Sequence, residues 1–145
     1  MKTKISLKTC KKRLAILWFT VGLILFVVLS IQTALGTKFA DKEGEAWGWF
    51  LPTMWPTLSL IIGVLLLDAT FPTGTDKQIE RFFFWLTFGL SAFYLTLVAL
   101  TILMQPFTGL TLLELMKRSN LWLGPIQGLV AAALGAFFVK GERVK

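Results

Sequence analysis

Few residues in this chain could do chemistry, and their types limit what that chemistry could be. There is no histidine and a single cysteine, Cys10. Imidazole acid–base catalysis, bis-histidine haem ligation, intrachain disulfides and Cys/His metal centres are therefore closed to it, and neither a metal nor a cofactor is expected. Cys10 follows "MKTKISLKT", which lacks the apolar stretch of a lipoprotein signal, so a free reduced thiol is the expected state. Asp68, Asp76 and Glu80 are the carboxylates that could cluster, but no spacing relates them, and they read as loop charges, as do Glu43 and Glu45. No Asp, Glu, Lys or Arg falls well inside an apolar run, where a proton relay or ion-coupled transporter would carry one. No catalytic residue is expected, and the chain is read as a non-enzyme.

What remains is neutral: prolines, hydroxyls, one amide and small residues. The stretch "GWFLPTMWPTLSLIIGVLL", starting at Gly48, places two Pro-Thr pairs in an apolar run. Pro52 is tolerable if the helix begins near Trp49, because an amide in the first turn has no intrahelical partner. Pro56 lies deeper, removes the bond to the Pro52 carbonyl and kinks the helix; a bond from the Thr57 hydroxyl to the Thr53 carbonyl is the expected repair. Pro52, Pro56, Ser59 and Gly63 recur at 4-3-4 spacing with Thr53 and Thr57 alongside, and this face is expected to point into a bundle or line a path. Met54, Leu58, Ile61 and Leu65 are expected opposite. Further along, Gly124, Gly128, Ala132 and Ala136 recur every four residues, with Gln127 beside them. This small-xxx-small stripe is expected to pack a helix or a second copy, and Gln127 to bond a neighbouring helix. Thr87, Ser91, Ala92 and Thr96 form a weaker polar stripe.

These side chains must be positioned by membrane helices. Of 145 residues, 55% are hydrophobic and 16% charged, against about 25% charged in a soluble domain. Four nearly charge-free runs cover residues 14–35, 48–67, 82–104 and 121–139, each long enough for a hydrocarbon core of roughly 30 Å. The first run is longer than a signal-peptide core and is expected to be retained. The expected fold is all-α: one membrane domain over 1–145, a four-transmembrane-helix bundle with antiparallel neighbours. It has a basic leader at 1–13 and a basic tail at 140–145. In the third connection Thr111 and Glu114 match a capping box, and 111–118 is expected to form a short interfacial helix on the outer surface. Pro72 and Gly74 mark a turn in the second connection.

Of the 15 Lys and Arg residues, only Lys38, Lys42, Lys117 and Arg118 fall on the side opposite the N-terminus. The positive-inside rule then places both termini in the cytoplasm of a bacterial inner-membrane-like bilayer. The net charge of +7 is accounted for as a topology signal, and no nucleic-acid partner is expected. Most tryptophans, Trp18 among them, read as interfacial belts, whereas Trp55 is expected between helices. Two functions fit. The first is an accessory or scaffold subunit docking a larger membrane or cytoplasmic partner through its small-residue faces. The second is a homo-oligomeric pore or membrane-perturbing effector, gated by a cytoplasmic partner, with hydroxyls and carbonyls along its path.

Overall fold

The computed structural model describes residues 4–36, 39, 41–72 and 77–139. The turn expected around Gly74, the carboxylate of Asp76 and the tail at 140–145 lie outside these residues. In chain order the elements are β1 (Lys4–Ser6), α1 (Leu7–Ala34), α2 (Glu43–Thr70), β2 (Gln78–Glu80), α3 (Arg81–Leu103), a 3-10 turn (Gln105–Phe107) and α4 (Leu112–Val139). All four helices are long and apolar enough to cross a membrane.

The helices outrun the apolar runs because polar sequence continues them. Glu43 and Glu45 place acids in the first turn of α2, where the helix dipole favours them. Pro52 is therefore inside the helix, not in its first turn, and both it and Pro56 remove an intrahelical bond. At the start of α4 the capping box closes: the Thr111 amide donates to Glu114 Oε2 at 3.0 Å, and the Glu114 amide to Thr111 Oγ1 at 3.3 Å. The helix this starts does not stop at 118. "KRSNLW" holds no glycine or proline, so α4 runs unbroken into the apolar segment, and no separate interfacial helix forms. α1 ends where Gly36, at φ 64°, takes the left-handed conformation that favours glycine.

Contacts at the two ends fix the helix directions. β1 and β2 pair antiparallel, Ile5 opposite Ile79, which puts the starts of α1 and α3 at one end, here called basal. Lys11 near the start of α1 meets Asp68 near the end of α2, and the Lys117–Glu45 pair joins the starts of α4 and α2 at the distal end. Around the bundle the order is α1, α2, α4, α3, with α2 and α3 on the diagonal. Helices consecutive in the chain are antiparallel, as expected, but the ring order departs from that of a simple up-down bundle and sets α1 beside the parallel α3, and α2 beside the parallel α4. The β ribbon lies at this basal end, where α2 stops and α3 starts at diagonal corners of the ring.

Inside the ring pack Trp18, Tyr94, Phe84, Phe138, Met54 and Ile61, all fully buried. Threonines in the spans turn their hydroxyls back on their own helices. Thr53, Thr96 and Thr101 donate to the carbonyls of Trp49, Ala92 and Leu97 at 2.6, 2.7 and 2.9 Å. That closes each hydroxyl without a partner from outside the helix.

Candidate functional site

The proline-rich part of α2 forms a polar node that reaches from the core, at Thr53 and Tyr94, to the exposed edge of the α2/α4 seam. With no amide at Pro56, the Pro52 carbonyl is left without its helical donor. Gln127 of α4 supplies one: its Nε2 donates to the Pro52 carbonyl at 3.1 Å and lies 3.4 Å from the Thr53 carbonyl. From the diagonal helix, the Tyr94 hydroxyl donates to the Thr53 carbonyl at 2.9 Å. The donor that replaces the missing Pro56 amide therefore comes from α4, not from the Thr57 hydroxyl. One turn distal, Trp49 Nε1 donates to Ser119 Oγ at 3.1 Å, and Ser119 donates on to the Met116 carbonyl at 2.7 Å. Trp18 leans on Tyr94 with ring centroids 5.9 Å apart. Trp18 Nε1 and Ser91 Oγ are buried without a hydrogen-bond partner among the described residues.

The face expected to enter the bundle is divided by the structure. Thr53 and Thr57 are buried, but Pro52, Pro56, Ser59 and Gly63 lie on the exposed flank of α2, whereas Met54 and Ile61, expected outside, fill the core. The physical reason is volume: in this core the large apolar side chains gain more by burial than the small ones. Trp18 and Trp55 exchange their expected places as well. Trp18 is 0% exposed in the core, and Trp55 is 58% exposed beside α1. Of the weaker stripe, Thr87 and Ser91 are buried and Thr96 is exposed.

On α4, Leu123, Val130, Leu134, Phe137 and Phe138 face inward. Gly124, Gly128, Ala132 and Ala136 are exposed, and a Cβ built on Gly124 or Gly128 meets nothing within 4 Å. Among the described residues no helix covers the stripe. Its distal half, Gly124 and Gly128, stands beside Gln127 on α4, and Gln127 touches α2, so the exposed prolines of α2 and the glycines of α4 flank one seam.

A second polar cluster closes the basal end. Lys11, only 5% exposed, reaches Asp68 at 2.8 Å and lies 5.8 Å from the Phe138 ring centre. Sequence reading misses this pair, since Lys11 sits in a run of cations and the partner is 57 residues away. Its signal is helical phase: Lys11 follows the inward face of Leu7, Leu14 and Trp18. Cys10 is buried and free beside it. Among the described residues no three His, Cys, Asp or Glu side chains come together. No family model, curated protein or solved structure matches this chain.

Proposed function

We propose that this protein is a non-enzymatic accessory or scaffold subunit of a bacterial-type inner membrane, with both termini cytoplasmic, which docks a larger membrane partner through the seam between α2 and α4. The observation that carries this reading is the outward stripe of Gly124, Gly128, Ala132 and Ala136. In lipid, small residues gain nothing by facing acyl chains and gain close contact by facing a helix. The interior argues in the same direction. Aromatic side chains fill it, and the hydroxyls and carbonyls of the polar node are engaged with one another.

A homo-oligomeric pore is the second reading, supported by the exposed prolines of α2 beside the stripe. Its path would run between copies, because the centre of one chain is filled. Site-directed cross-linking separates the two. Gly128→Cys, in a Cys10→Ala background, is treated with a membrane-permeant bismaleimide in native membranes. A mixed adduct with one other membrane protein, abolished when Leu replaces Ala132, is the expected result; Gly128→Leu alone should leave the monomer folded. A homodimeric adduct of this chain, with no mixed adduct, would overturn the accessory reading in favour of the pore.

A further inference from the structure

A groove of about 200 Å³ opens between α1 and α2, lined by Phe19, Gly22, Phe26, Met54, Trp55 and Ser59 among others. Its walls are nearly all carbon. That volume is below the range of about 300–1,000 Å³ that holds compact ligands, and it suits a length of hydrocarbon chain. Gly22 brings the helices together at its floor, where an added Cβ would stand 3.3 Å from Met54 Cε. At the distal end aromatic rings close it: Phe26 meets Trp47 with centroids 5.2 Å apart, and Trp47 meets Phe50 at 6.1 Å. A chain lying in this groove therefore leaves it toward the basal end.

Cations wait on that line. Lys8, Lys12, Phe19, Leu23 and Phe26 follow one side of α1 at spacings of 4, 7, 4 and 3, so both lysines stand over the groove. Lys8 and Lys12 are exposed, and neither makes an ion pair among the described residues. Asp68, the carboxylate at this end of α2, is engaged by Lys11. At 1.5 Å rise, Lys12 stands roughly 10 Å along the axis from Phe19 and about 21 Å from Phe26. With a hydrocarbon half-thickness of roughly 15 Å below the headgroups, those distances run from the upper part of a lipid chain to near its end.

We infer that the α1/α2 seam binds one anionic phospholipid, its phosphate held by Lys8 and Lys12 and one acyl chain lying in the groove. Neither half alone specifies it: the lysines would accept any anion, and the groove any hydrocarbon. Together they select an amphiphile with a negative head. The inference needs only that the helices lie in a membrane, and it is independent of the partner at the α2/α4 seam.

The test is native mass spectrometry of the full chain in mild detergent, titrated with phosphatidylglycerol, phosphatidylcholine of the same chains, and glycerol 3-phosphate. One phosphatidylglycerol should bind in clear preference to the other two. Lys8→Gln/Lys12→Gln should weaken it about thirtyfold, at roughly fivefold per cation near a headgroup. Ser59→Phe, which fills the groove from its exposed rim, should weaken it severalfold. Arg118→Gln, an exposed cation at the other end, should leave it unchanged. Phosphatidylcholine or glycerol 3-phosphate binding as tightly would overturn the site, as would unchanged affinity in either of the two seam variants or an equal loss in Arg118→Gln.

Discussion

At the scale of single residues, the carbonyl that Pro56 leaves without a helical donor is answered by a side chain from another helix. Gln127 of α4 donates to the Pro52 carbonyl and Tyr94 of α3 to the Thr53 carbonyl, so this part of α2 and the bundle depend on each other. Gln127→Leu should cost about 1 kcal/mol, the scale of interhelical hydrogen bonds in lipid. Pro56→Ala returns an amide to the Pro52 carbonyl, and in that background Gln127→Leu should cost less than half as much. A double-mutant cycle by denaturant titration in detergent reads this coupling directly; additive costs would separate Gln127 from the kink. That Gln127 needs a partner is legible in the sequence, because an unpaired amide inside a membrane is expensive. Which carbonyl it meets is not, since that depends on α4 lying beside α2. The inward face of α2 misleads for a related reason. Spacing finds a small-residue face, but it cannot say whether that face packs inside the chain or is kept for another molecule.

At the scale of elements, length and apolarity give the four spans, and the capping box at Thr111 marks a true helix start. Helix ends are harder to read: neither the acids before Gly48 nor "KRSN" before Leu121 breaks a helix, so α2 and α4 extend past their apolar runs. The basal end shows how burial assigns roles within an ion pair. Lys11 is enclosed, and the Asp68 side chain is 41% exposed. Removing the exposed partner leaves a buried charge uncompensated, whereas removing the buried one leaves an anion that water can reach. Asp68→Asn should therefore destabilise the protein by about 2 kcal/mol, less than the roughly 3–5 kcal/mol of a fully buried pair because water reaches Asp68, and Lys11→Met by less than about 1 kcal/mol. Thermal unfolding of the two variants in detergent tests the order. Equal losses would show that the pair is as solvated as a surface bridge.

At the scale of the whole molecule, the ring order α1, α2, α4, α3 decides which faces remain free. Placing α2 next to α4 sets the prolines and glycines along one seam, and placing α1 next to α2 forms the groove beneath Lys8 and Lys12. Short connections suggest a simple up-down ring, and nothing local to the sequence reports the diagonal crossing. It follows from three contacts between residues distant in the chain: the β1–β2 ribbon, Lys11–Asp68 and Lys117–Glu45. The molecule that results has a filled centre and an outward stripe, and the proposed function rests on that contrast. The native mass of the protein purified in mild detergent from its own membranes, with bound lipid resolved, tests it most directly. The account predicts one copy of this chain in complex with a different membrane protein, lost on Gly128→Leu. A discrete homo-oligomer of four or more copies, unaffected by that substitution, would contradict it.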